Sequence, residues 1–358
     1  MLFFHESSEL EYEASIFWGE IEENVENICG VIDHDKHAFF ITSTEDDPVD
    51  REYTSHQVYD DKAPDTVMHM LIARHDNTKD RKNTAIHRTV KILEMVKGRS
   101  VHFPKLICYG RLKKMIFGEN GDQDAERDPE WIGRPCAIVE YHASLVGSLL
   151  SLSPTGTIPM DLSLVIMMGC VRALASLHRL GYVHRQVSPY SLKIKIELIF
   201  IFAFRNPISY DTLESRMLIV DVSLALPWPC KPRSFVPFVG TIRYSSVRAH
   251  RGREQGPSDD IISLIYMIAE LISGKLPWRS VFDDMRVCDM KCLFYRSVEF
   301  KRLPREIRSL YRLMYMTLSP YPVDYKLIIE QIQAALTRRY PNSKHELPSW
   351  LALPITEE

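Results

Sequence analysis

The chain has 358 residues, 45% hydrophobic and 25% charged, with a formal net charge of -3. That length buries a core without disulfide or metal staples, and the near-neutral balance excludes a strong nucleic-acid-binding field and the composition of a disordered chain. Seven cysteines, odd in number and with no C-x-x-C pair, predict a reducing compartment; Cys288 and Cys292 lack a second ligand pair and read as packing residues.

The first residues, MLFFHESSELEYE, have no basic n-region and do not read as a signal peptide. Residues 1–15 are expected to be an N-terminal extension. Thr44–Arg51 (TEDDPVDR) and Gly118–Asp128 read as exposed loops. Between them Thr66–Ala73 and Lys105–Gly110 read as strands, and Asp80–Lys97 as a helix with Ile86, Val90, Leu93 and Val96 on one face. Pro135–Tyr141 adds a strand. From Leu145 the pattern turns helical. Leu164, Met168, Val171, Leu174 and Leu177 form a stripe over Asp161–Leu180, and Gly181 supplies the stop. Asp260–Ser273 is apolar on nearly every face, the pattern of a buried central helix. Further helices are expected around Leu310–Thr317 and over Tyr325–Arg338. The longest apolar run, Leu198–Phe204 (LIFIFAF), is far shorter than the roughly 20 residues that span a bilayer. It reads as a covered strand, a partner-binding hairpin or an insertion introduced by a gene-model error.

The stretch Tyr182–Lys195, YVHRQVSPYSLKIK, resembles the H-R-D-x-x-x-x-N catalytic loop of protein kinases. Asp221-Val222-Ser223 stands where that family has D-F-G. Gly240–Trp278, with its H-R-G-R-E-Q-G run and L-P-W-R ending, resembles the casein kinase 1 superfamily and within it the tau-tubulin kinase branch. The resemblance covers residues 60–340 and implies a bilobal α+β kinase-like fold. Its parts would be a small β-rich N-lobe over 16–143 with one helix, a larger helical C-lobe over 144–340, and a tail over 341–358.

Kinase chemistry is mostly positioning and charge stabilisation, so each positioning part can be sought in turn. By the resemblance, the base Asp falls on Gln186, the loop Lys on Ser188 and the magnesium-binding Asn on Ser191. An amide accepts no proton at neutral pH, and loss of general-base help costs typically about 10²–10⁴-fold. The strand-three Lys falls on Met70 and its helix Glu near Thr89, with His69 on the other face of the strand. Only Gly19 and Gly30 precede residue 98, so the glycine-rich phosphate loop is missing or rebuilt. Asp221 stands at a magnesium-ligand position, and the alternative is a carboxylate that only accepts backbone hydrogen bonds. Glu140, Tyr141 and His142 stand at the hinge. His184, Arg185, Asp260 and Trp278 match positions that hold the helical lobe together. Arg243, with Arg185 and Arg248 near it in sequence, matches a phosphate-binding position; its other reading is a bond within its own segment.

The reading is a pseudokinase that binds protein partners or phosphopeptide-like substrates, in the cytoplasm, the nucleus or both. It needs no cofactor, with ATP and magnesium relevant only to residual binding or activity, and engages neither nucleic acid nor membrane. Two alternatives stand beside it: a divergent active serine/threonine kinase, and a sensor that binds nucleotide without transfer.

Overall fold

The computed structural model describes residues 2–3, 30–34, 37–44, 52–60, 63–74, 85–111, 114–115, 134–141, 143–145, 148–195, 216–231 and 233–341. The chain folds as two compact units, Met1–Lys97 with Pro104–His142, and Gly98–Phe103 with Ala143–Glu358. Together they make a mixed α+β protein.

The first unit is a sheet of β1 (Leu2–Phe3), β2 (Gly30–His34), β3 (His37–Thr44), β4 (Tyr53–Asp60), β5 (Ala63–Ala73), β6 (Lys105–Arg111), β7 (Lys114–Met115) and β8 (Pro135–Glu140). Their order is β6-β8-β5-β4-β3-β2-β1-β7. The expected strand Thr66–Ala73 lies inside β5, which is hydrogen-bonded on both sides, to β4 and β8. Its near-continuous run Met68–Ala73 is buried throughout, as a strand covered on both faces requires. Helix α1 (Ala85–Val96) packs on β5, β6 and β8 through Ile86, Val90, Leu93 and Val96. Asp80–Thr84, which the expected helix included, lie outside the described residues.

The second unit is mainly helical: α2 (Ser148–Leu152), α3 (Met160–Arg179), α4 (Val247–His250), α5 (Pro257–Ser273), α6 (Asp284–Cys292), α7 (Val298–Arg302), α8 (Arg305–Met316) and α9 (Tyr325–Arg339). Helix α5 is the hub, packed by α3, α7 and α8, while α9 lies against α3 and α8. It begins three residues before the expected Asp260. Pro257 presets the first turn, and the Asp259 carboxylate reaches back to accept the Gly256 amide at 2.8 Å. Gly256 has no alternative, because a Cβ there would stand 2.2 Å from the Ser319 carbonyl oxygen. Gly274, in the left-handed conformation at φ 77, ends the helix. Helix α3 is long and apolar enough to cross a membrane, but 78% of that stretch is buried inside the protein. It is a core helix that shares its packing with α5.

Two short sheets place the loop of interest. Strands β9 (Ala143–Leu145), β11 (Leu192–Lys195) and β12 (Met217–Ile219) form one sheet in the order β12-β11-β9. Strands β10 (Tyr182–Val183) and β13 (Leu226–Pro227) form a two-stranded ribbon. Residues 183–192 therefore cross from one small sheet to the other. The run Leu198–Phe204 lies between β11 and β12, outside the described residues.

Helices α6 and α7 have no counterpart among the expected elements. DMRVCDMKC buries only Val287, Cys288 and Lys291, too little apolar periodicity to announce a helix. Around Tyr266 of α5, the rings of Trp278, Phe294, Phe300 and Tyr311 make edge-on contacts with centroids 5.1 to 5.5 Å apart, a geometry that aligns ring edges with ring faces.

Candidate functional site: a kinase-like loop with a structural interior

The loop is gripped from below by one carboxylate. Asp260, in the first turn of α5, is 1% exposed. Its Oδ2 accepts the His184 amide at 2.7 Å and His178 Nε2 at 2.8 Å, and its Oδ1 accepts the Arg185 amide at 2.8 Å. Burial alone would raise its pKa, but the bonds and charge of His178 and His184 hold the carboxyl below its ordinary value. The two backbone bonds lead into Arg185, whose φ of 67 is left-handed. For a non-glycine residue that conformation costs about 1–3 kcal/mol and persists only where neighbours enforce it. Arg185 also donates through Nε to the Leu224 carbonyl at 2.8 Å. On the far side lies Gly240, at φ 126, where a Cβ would come within 2.6 Å of the Arg185 carbonyl oxygen.

Inside this grip the side chains serve the loop itself. The Gln186 amide N–H donates to His184 Nδ1 at 3.1 Å, which requires that nitrogen to be unprotonated. Burial also keeps His184 below its ordinary pKa. The Gln186 side chain is buried. Ser191 Oγ donates to the Gln186 carbonyl at 2.8 Å and accepts the Ser188 amide at 3.0 Å, while Ser188 Oγ accepts the Ser191 amide at 3.3 Å. The two hydroxyls close the turn on itself. Ser191 also passes its carbonyl to the Val220 amide at 3.2 Å, tying the loop to the strand that leads to Asp221. Asp221 is buried, and its Oδ1 accepts the Ser223 amide at 2.9 Å.

In the first unit, Met70 is fully buried in β5, opposite Ile138 of β8 and His56 of β4. Thr89, near the helix-Glu position, is buried on α1. Neither side chain carries a charge. His69 stacks on Tyr141 with centroids 4.0 Å apart. The Glu140 carboxylate is taken by Lys105 at 2.6 Å, and His142 lies outside the described residues. Strands β3 and β4 precede β5 as an antiparallel pair. The connection between them reads EDDPVDRE, with five acids, one Arg and no glycine.

Arg243 faces Glu270, its Nη1 3.8 Å from Oε1, while the same carboxylate accepts the Tyr244 hydroxyl. Trp278 Nε1 holds the Arg243 carbonyl at 2.8 Å. Arg248 is locked at the start of α5 by Asp259 at 2.9 Å and Ser258 at 2.7 Å. These guanidiniums face protein carboxylates, so a phosphate would compete with Glu270 or Asp259 for them.

One further cluster supports this segment. Lys291 of α6 is buried, and its ammonium donates at 2.6 Å to both the Ile242 and Ser245 carbonyls and at 2.9 Å to His250 Nε2. Its Nζ lies 5.3 Å from the Tyr266 ring centroid and 5.4 Å from that of Trp278. His250 Nδ1 in turn meets the Asp284 carboxylate. The ring must be neutral with its proton on Nδ1, and burial together with the Lys291 charge lowers its pKa to about 4.

No protein-family model matches the chain. It is 34% identical over 138 residues to a casein kinase 1-like protein of rice, covering 35% of this chain and 18% of that one. It is 33% identical over 131 residues to an inactive tau-tubulin kinase of Caenorhabditis elegans, covering 34% and 42%. A casein kinase I-like protein of the same nematode is 31% identical over 175 residues, covering 48% and 49%. The chain spans about half or less of the length of these relatives.

Proposed function

From its place in the kinase-like casein kinase 1 superfamily, we propose that this chain is a catalytically impaired member, a pseudokinase that binds protein partners and does not transfer phosphate. The observation that carries the reading is the closed turn of Ser188 and Ser191. Both hydroxyls at the family's lysine and asparagine positions are taken up by backbone groups of the loop itself. Gln186, two residues before Ser188, supplies no base. Support comes from the first unit, where Met70 and Thr89 bury without charge. The acidic connection EDDPVDRE would repel the polyphosphate that the family's glycine loop covers.

Asp221 gives the reading its test. Thermal unfolding of the full chain with millimolar ATP, with and without magnesium or manganese, is expected to show no dose-dependent shift. A ligand present at 100 times its Kd would add about 2.7 kcal/mol of stability, several degrees for a domain of ordinary size. A metal-dependent shift that disappears in Asp221→Ala would instead favour the nucleotide-binding sensor, and phosphate transfer to casein that depends on Asp221 would overturn the reading.

A further inference from the structure

Away from the loop, α3 and α9 enclose a groove of about 390 Å³ lined by Val171, Arg172, Ala175 and Arg179 on one side and by Tyr325, Lys326, Ile329, Glu330 and Gln333 on the other. Its volume lies in the range of sites that take drug-sized ligands or a few apolar side chains. The walls are apolar at Val171, Ala175 and Ile329, and the rim carries three cations, Arg172, Arg179 and Lys326, against the single acid Glu330. Lys326 is 87% exposed and only loosely paired with Glu330, at 3.9 Å. An apolar floor under a net positive rim selects a short apolar segment flanked by acids.

Such a segment occurs in this chain. After α9 the sequence continues PNSKHELPSWLALPITEE, in which Trp350, Leu351, Leu353 and Ile355 are flanked by Glu346 on one side and Glu357 and Glu358 on the other. We propose that Trp350–Glu358 folds back and docks in the α3–α9 groove, with Trp350 and its neighbouring leucines on the apolar floor and the glutamates on the cationic rim.

The reach is ample. Helix α9 has fifteen residues and so spans about 22 Å, whereas the ten residues from Tyr340 to Trp350 extend up to about 33 Å. Tethering also raises the local concentration of the segment to about the millimolar range, so a weak contact suffices for occupancy. The groove sits beside the frame of the kinase-like loop. The Tyr325 hydroxyl in its wall bonds His178 Nδ1, and His178 Nε2 bonds Asp260.

Limited trypsinolysis at Lys344 of the full chain tests the docking, because a docked segment holds this bond away from the protease. Cleavage is expected to be several-fold faster in Trp350→Ser and in Arg172→Glu/Lys326→Glu than in the parent, at unchanged melting temperature. Equal rates in all three proteins overturn the proposal. Protection that rises with protein concentration also overturns it, since the occupant would then be a second copy. Should the charge variant fold poorly, Trp350→Ser alone decides, because it alters no residue of the described core.

Discussion

Within a single loop, two sets of residues do different work. His184, Arg185 and Asp260 form a frame in which one buried carboxylate holds two consecutive amides and a histidine. Gln186, Ser188 and Ser191 fill that frame with neutral side chains, and the two serine hydroxyls bond the loop's own backbone. The frame stabilises the helical unit whether or not chemistry follows. The comparison teaches that kinase-like architecture and kinase chemistry rest on separable residues.

The largest effect should come from breaking the frame. Asp260→Ala leaves the His184 and Arg185 amides without an acceptor and removes a buried charge, at a cost of about 3–5 kcal/mol; the urea midpoint measures it. If the loss is below about 1 kcal/mol, the frame is not what fixes the loop. Next is the strut under the neighbouring segment. Lys291→Met deprives two carbonyls and His250 of their donor, and about 2–4 kcal/mol should be lost. Ser191→Ala, inside the frame, should cost only about 1 kcal/mol, and Gln186→Asp should yield no phosphate transfer. Transfer appearing in that variant would mean that the chemistry had been one substitution away.

Acid sharpens the same contrast. Folding keeps His250 neutral, with its pKa lowered from 6.5 to about 4 by burial and the Lys291 charge. The unfolded chain therefore binds the proton first, and stability should decline as pH falls from 6.5 towards 4, with no further loss from this group below that. Glu306 is the opposite kind of group. Hydrogen bonds from Arg338 hold its carboxyl near 2, so its contribution is whole above about 4.5 and lost between there and 2. Urea midpoints across this range should show both arms. His250→Gln should flatten the upper arm and Glu306→Gln the lower; an upper arm that persists in His250→Gln would refute the assignment. The smallest effect belongs to Lys326→Glu on the groove rim, within about 0.5 kcal/mol on stability.

Much of the architecture was legible because local signals agreed. The apolar run of α5, the stripe of α3 and the strand inside β5 each announce themselves by periodicity and length. The resemblance of YVHRQVSPYSLKIK then located the loop. What stayed hidden needed tertiary pairing. Lys291 sits in a polar stretch, and lysine is almost never buried unless paired, so nothing in DMKC points inward. The acids of EDDPVDRE were visible as a loop, while the pairing of β3 with β4 on either side of them was not. Ser188 and Ser191 could be named as substitutions, while their mutual closure depends on backbone geometry that spacing does not reveal.

Lys291 also gives the protein an internal clock. Its amine is 1% exposed and three acceptors hold it, so an acylating reagent reaches it only when the second unit opens. The rate of its modification then tracks the open population when closing outpaces labelling, and the opening rate when labelling is faster. One side chain, read by mass spectrometry, would thus follow the folding equilibrium of the unit inside an otherwise unaltered chain.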